Sequence, residues 1–250
     1  MLLKGKVALV VGVNNDLGSI TAEIMAREGA KIAIAERNCV RGKALLDKIV
    51  AAGGEAIYQE IDVTFNRYQK AAISRTVAEY GRLDIAFNNV SVEGDDLPLA
   101  RQLEDMVAGV VDTNFCGTWL SLKYQIEQML KNGGGAIVNN VSKFQADGTA
   151  GCSVYSATKS AIATMSQVAA MEYARDNIRI NTISPGLLKR SHYDLERDRE
   201  DCESPNMIPM NRYATPQEIA EAIVWLCSDK ASYITGQDLS IDGGLVSKVR

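Results

Sequence analysis

The stretch KVALVVGVNNDLGSITAEIMAREGAKIAIAE, residues 6–36, decides the fold. It opens on an apolar, β-branched run at 6–12 that reads as a buried strand. Residues 17–28 carry apolar positions at helical spacing and stop at Gly29, a helix-ending glycine. A second apolar run follows at 30–36. Strand, turn, helix and strand in such close succession form the unit of a parallel sheet, and its turn lies at a helix N-terminus, where anions bind. The turn itself, VGVNNDLG at 11–18, is short of glycine for that task. Asp16 suits the N-cap of a helix starting at Leu17. It also sets a carboxylate where free N–H groups would meet a phosphate.

The same alternation runs outward from this unit. Further strands are expected at 56–62, 83–89, 136–142 and 178–184. Helices are expected at 40–52, 66–80, 102–131 and 153–174, most of them closed by glycine. Apolar strands separated by helices predict an α/β fold with a doubly wound parallel sheet. With 250 residues, 46% of them apolar and 23% charged, the chain suits one domain spanning 1–250. Residues 187–210 break the alternation with a charged run. Such a segment is either a solvated loop or a lid over a ligand, and both readings stay open.

Composition excludes several functions. A net charge of −4, with no block of lysine or arginine, argues against nucleic acid as a partner. No apolar run is long enough to span a membrane, and the N-terminus reads as a strand rather than a signal peptide, so a cytoplasmic protein is expected. The five cysteines are scattered without a C-x-x-C pair, which suits reduced thiols. The single histidine, His192, supports neither a His-based metal site nor a Ser-His pair, and no metal is expected.

The chemistry gathers at YSATK, 155–159. Tyr155 and Lys159 lie four apart and share one helical face. Ser142 ends the fifth strand, at the sheet edge where α/β proteins bind ligands. Asn114, on the preceding long helix, can join them. An ammonium beside a phenol favours the phenolate and is expected to bring Tyr155 down toward neutrality. Such a group moves a proton to or from a carbinol oxygen while a hydride passes to or from a nicotinamide.

These motifs resemble those of the short-chain dehydrogenase/reductase family over essentially the whole chain. The resemblance rests on Gly12 and Gly18 in the turn, on NNVS at 88–91 for the family's N-N-A-G, and on Asn114. It continues through IVNNVS ending in Ser142, YSATK thirteen residues on, ISPG at 183–186 and GQDLSIDGG at 236–244. It implies a Rossmann-type sheet, an oxidoreductase of secondary alcohols and ketones, and a homotetramer. It makes Tyr155 the general acid/base, with Ser142 orienting the substrate. Lys159 would bind the nicotinamide ribose and tune the tyrosine, and Asn114 would hold a relay water. Cofactor contacts would come from Gly12, Asn15, Leu17, Gly18, Glu36, Asp62, Val63, Asn89, Pro185, Gly186 and Leu188, together with Tyr155 and Lys159.

Glu36, at the end of the second strand, favours NAD, because its carboxylate can accept both ribose hydroxyls and repels a 2′-phosphate. Arg37, common in the family's NADP users, keeps NADP open. The turn VNND itself supplies no basic residue for a phosphate. The chain departs from the family at Val11 and Asp16 in the turn, at Ser91 in place of the motif's glycine, and at Arg190 in place of a threonine. Gly148, Gly151 and Cys152 suggest room beside Tyr155. Two alternatives stand beside this reading: an NADPH-dependent 3-oxoacyl reductase, and a catalytically silent scaffold whose dinucleotide site Asp16 has disabled.

Overall fold

The computed structural model describes residues 1–142, 150–189 and 205–245. Its frame is a sheet of seven parallel strands: β1 (Val7–Val11), β2 (Lys31–Glu36), β3 (Ala56–Glu60), β4 (Ile85–Asn88), β5 (Gly135–Asn140), β6 (Ile178–Pro185) and β7 (Asp238–Ile241). They are ordered β3-β2-β1-β4-β5-β6-β7. The helices between them are α1 (Asp16–Arg27), α2 (Cys39–Ala51), α3 (Asn66–Tyr80), α4 (Glu104–Val110), α5 (Gly117–Asn132), α6 (Ser153–Tyr173) and α7 (Pro216–Cys227).

Alternation along each strand builds two cores. Ala8, Val10, Ile32, Ile34 and Phe87 pack with α1, α2 and α7 on one face. Leu9, Val11, Ala33, Ala35 and Ile137 pack with α3, α5 and α6 on the other. Both faces are covered, which is why the strands read as continuous apolar runs. The chain order reverses between β1 and β4, whose registered ends pair Val11 with Asn88. Ligands of open α/β sheets bind at such a switch point, outside the carboxyl ends of the strands.

Four features differ from the sequence expectation. The helix expected over 102–131 begins at Glu104 and is interrupted by a π-helical turn, Val111–Cys116, before α5 continues it. Asn15, not Asp16, is the N-cap of α1, and its side chain accepts from the Gly18 N–H at 2.9 Å. Asp16 is instead the first helical residue. Two elements were also not anticipated, α7 and β7. The first has a clear start signal, a Thr215–Glu218 capping box with proline just inside the helix. The second is only four residues long and has no continuous apolar run. Of the segment expected as a loop or lid at 187–210, residues 190–204 lie outside the described residues, as do Arg190 and His192; Gly148 does too.

Candidate active site

The turn after β1 closes through two glycines. Gly12 has φ +88°, and a Cβ there would press on Val90 and the Asn89 carbonyl carbon. A Cβ on Gly18 would collide with the Gly12 carbonyl oxygen. These positions therefore exclude any side chain, whereas position 16 carries one, the half-buried Asp16 that begins α1. Asn89 fastens the turn, donating to the Gly12 carbonyl at 2.8 Å and the Asn15 side chain at 3.0 Å. Leu17 faces away, into the core.

Glu36 is buried at the end of β2, and one of its oxygens accepts the Val13 N–H, the other that of Asn38, both at 2.8 Å. The carboxylate thus ties the turn to β2. Each oxygen has lone-pair capacity left for a hydroxyl. Arg41, reaching over from α2, donates to the Asn14 carbonyl, so a cation does meet the turn although the turn's own sequence contains none. Asp62, beyond β3, accepts from the Thr64 N–H at 3.0 Å and its hydroxyl at 2.6 Å. Burial pushes its carboxyl up, but the Thr64 bonds and the Arg37 and Arg67 charges outweigh that and hold it below the usual range. Val63 is buried against Gly117, where a Cβ would crowd its side chain. Pro185 ends β6, Gly186 lies against Asp242, and Leu188 pairs with Ala214.

These groups lie along the carboxyl edge of the sheet. The absence of side chains at Gly12 and Gly18 lets the turn approach β4 closely, and the turn leads into a helix N-terminus suited to phosphates. A carboxylate stands at the end of the neighbouring strand. This donor and acceptor set fits a dinucleotide.

The reactive cluster begins where β5 and α6 face each other. The Ser142 and Ser91 hydroxyls are near enough to the Tyr155 phenol to favour its deprotonated form. The Lys159 ammonium lies 5.5 Å from the centre of the Tyr155 ring and donates to the Asn140 carbonyl at 3.2 Å. Lys159 is 1% exposed, and burial depresses its pKa to about 8, opposed in part by the Glu93 charge. The expectation that Tyr155 is brought toward neutrality is not met. Burial raises its pKa, the Ser91 and Ser142 hydroxyls pull it down, and the carboxylate of Glu93 and the thiol of Cys152 push it up again. The net direction is upward, because the phenol is desolvated.

Asn114 is fully buried on the π turn, a helical irregularity that recurs at functional sites. Its amide accepts from the Val92 N–H and donates to the Val92 carbonyl, both at 2.9 Å, and reaches the Thr158 hydroxyl at 3.2 Å. Thr158 donates to the Tyr155 carbonyl at 2.8 Å. The Asn114 side chain therefore acts through Val92 and Thr158, joining the segment after β4 to α6. Ser91, Thr158 and Arg41 were missed as site residues. Only Ser91 left a signal, as the departure from glycine in NNVS.

A small cavity opens beside Tyr155, walled by Met106, Val107, Val110 and Val154 and bordered by Glu93 and Asp95. Among the described residues no cluster of potential metal ligands occurs, and no helix is long and apolar enough to cross a membrane.

Comparison with known proteins gives the same picture over nearly the full length. Residues 12–246 match the family model described as enoyl-(acyl carrier protein) reductase. The chain is 34% identical over 249 residues to a 2,5-dichloro-2,5-cyclohexadiene-1,4-diol dehydrogenase of Sphingobium indicum, covering 98% of each chain. It is 32% identical over 243 residues to a cyclohexanol dehydrogenase of an Acinetobacter species, covering 97% of this chain and 96% of that one. The crystal structure of levodione reductase superposes with a TM-score of 0.92 at 29% identity, covering 99% of this chain and all of the other.

Proposed function

The chain belongs to the short-chain dehydrogenase/reductase family and is an oxidoreductase, and from that premise we propose that it interconverts a compact secondary alcohol and its ketone with NAD(H). The observation that carries the reading is the Lys159 ammonium set against the Tyr155 ring, with the Ser142 hydroxyl on the same phenol's side of the site. In the oxidising direction the carbinol proton leaves for the Tyr155 oxygen, and the substrate oxygen is held by the Ser142 hydroxyl as its bond to carbon becomes a carbonyl. A bound nicotinamide supplies the hydride acceptor. The Lys159 charge favours the deprotonated form of the tyrosine, and Asn114 keeps α6 in register through Thr158.

The apolar wall of Met106, Val107, Val110 and Val154 suits a small hydrocarbon ring. The cyclic alcohols in the names of two relatives support the same substrate class. Glu36 supports NAD, and the coenzyme contacts are assigned to Gly12, Asn15, Gly18, Glu36, Asp62, Asn89, Gly186 and their neighbours. One observation favours a second reading, use of NADP: Arg41 adds a cation beside the turn, close in sequence to Arg37.

A homotetramer in the cytoplasm completes the proposal. Trp119 on α5 and Val168 and Met171 on α6 are exposed apolar side chains, which suits helices that pair between subunits.

The test is a panel of alicyclic alcohols offered with NAD⁺ and, separately, NADP⁺, followed at the absorbance band of the reduced coenzyme. Turnover of at least one cyclic secondary alcohol, faster with NAD⁺, is expected. Turnover with NADP⁺ alone would overturn the coenzyme assignment. Reduced coenzyme formed with neither, across alcohols and the matching ketones in reverse, would overturn the reading.

A further inference from the structure

Asn140 is the last residue of β5, and two parts of the site meet on it. Its backbone carbonyl accepts from the Lys159 ammonium at 3.2 Å. Its side-chain amide donates to Asn89 Oδ1 at 2.7 Å. The Asn89 amide nitrogen donates in turn to the Gly12 carbonyl at 2.8 Å and to Asn15 Oδ1 at 3.0 Å. Asn15 Oδ1 also accepts the Gly18 N–H at 2.9 Å. The direction of this chain is fixed at its far end. The Gly12 carbonyl can only accept, so Asn89 turns its nitrogen to the turn and its oxygen to Asn140. Asn140 must then present its nitrogen, which leaves its own Oδ1 shut away from solvent without a hydrogen-bond partner among the described residues.

A half-paired amide is a poor choice for stability. A buried acceptor without a donor destabilises the fold, and an apolar side chain of similar size would avoid that. The single donation to Asn89 is what this amide supplies. We propose that Asn140 is a positioning residue for the coenzyme: its amide nitrogen, acting through Asn89, holds the turn after β1 in the shape that receives the dinucleotide. The proposal rests on the dinucleotide reading given above. Three strand ends carry the chain, since Asn140 closes β5, Asn89 follows β4 and Gly12 follows β1. It therefore crosses the carboxyl edge of the sheet from Lys159 to the turn. The Asn89 nitrogen is engaged on the turn, and its oxygen is held by Asn140. Without that donor the Asn89 amide is free to rotate and to release Gly12 and Asn15. A turn loosened in this way must be ordered when the pyrophosphate binds, which lowers affinity. Lys159 is held by the backbone carbonyl of residue 140, which every residue type keeps, so substitution separates the two roles.

The test is calorimetric titration of NADH and NADPH into wild type and Asn140→Leu, a variant close in size that lacks the donor. The substitution removes one unpaired acceptor, Asn140 Oδ1, and creates another, Asn89 Oδ1, so the melting temperature without ligand is expected to stay close to that of wild type. Affinity for the preferred coenzyme is expected to fall about tenfold, the effect of one lost hydrogen bond whose partner stays unpaired. Asn140→Ala, which needs no extra space, should bind as weakly. In an Asn89→Ala background the chain is already broken, and Asn140→Leu should change the affinity by less than about twofold. Unchanged affinity in both Asn140 variants overturns the proposal. So does a full tenfold loss in the Asn89→Ala background, which would mean that Asn140 acts by another route. In turnover, the coenzyme KM should rise while kcat stays within about threefold, because Lys159 keeps its carbonyl; a fall in kcat alone would contradict the proposal. Wild type that binds neither coenzyme would overturn the dinucleotide reading and the proposal with it, whereas equal binding by wild type and variants counts against the role of Asn140 alone.

Discussion

At the scale of single residues, Asp16 shows how far one position can be read. The sequence makes its oddity plain, but not which residue caps α1, because Asn15 and Asp16 are both competent caps and only the backbone chooses between them. With Asn15 as the cap, Asp16 lies in the first turn, where the helix dipole favours an anion by about 0.3–1 kcal/mol. A bound pyrophosphate would meet the same carboxylate, at a screened repulsion of about 1 kcal/mol. Asp16→Gly is therefore expected to bind NADH several-fold more tightly at low salt and to melt slightly lower without ligand. Calorimetric titration at two salt concentrations checks this; equal affinities at low salt would mean that the carboxylate points away from the phosphates.

Lys159 makes a second residue-scale prediction. Its folded-state pKa of about 8 lies below the ordinary 10.5. Between those values the unfolded chain binds more protons, so the stability lost by burying this ammonium is recovered as pH rises from about 8 to 10.5. Lys159→Met, inactive as an enzyme, should be more stable than wild type at pH 7, by at most about 3 kcal/mol less the lost bond to Asn140. The advantage should vanish by about pH 10.5. Urea unfolding across that range is the check, and a difference independent of pH would contradict it.

At the scale of elements, the β1–α1–β2 unit was legible because apolar runs and a glycine stop mark buried strands and a helix end. The edge strand β7 was not. It is joined to β6 partly by side chains, with Asp238 accepting from Thr182 at 2.6 Å and from Ser184 at 2.8 and 2.9 Å, and no periodicity records such bonds. The polar chain beneath the site was equally hidden. Asn88 donates to Gln125 at 2.9 Å and to Asn139 at 2.7 Å, and Asn139 donates to Ser166 at 2.8 Å, linking β4 and β5 to α5 and α6. In the pair Asn88-Asn89 one amide therefore builds the core and the other fastens the turn after β1. Asn88→Ala would leave Gln125 and Asn139 short of partners in a buried setting, and an unfolding free energy lower by about 3 kcal/mol is expected. Chemical denaturation measures it, and a loss below about 1 kcal/mol would show that the chain repacks.

The π turn belongs to the same scale. Apolar spacing predicts one long helix there, and nothing in the periodicity betrays the inserted geometry. Yet the irregular turn is what aims Asn114 at both Val92 and Thr158.

At the scale of the whole molecule, sheet order alone brings the ends of β1, β2, β4, β5 and β6 to one edge and so gathers residues from Gly12 to Gly186 into one site. The proposed catalytic group, Ser142, Tyr155 and Lys159, could be named from the sequence because a strand end and one helix turn mark its members. The proton affinity of Tyr155 was not, because burial is a property of the folded molecule. For the assembly, light scattering at micromolar concentration is expected to give the mass of four chains, and a monomer would contradict the proposed pairing of α5 and α6.

The central claim is that Tyr155 exchanges the proton while the rest of the edge binds the coenzyme. The most direct measurement is turnover and NADH binding in Tyr155→Phe, with the substrate found for wild type. A positioned acid/base group contributes about 10²–10⁴-fold, so turnover should fall at least that far while NADH affinity stays within about threefold. A variant that keeps more than about a tenth of the wild-type rate would contradict the claim.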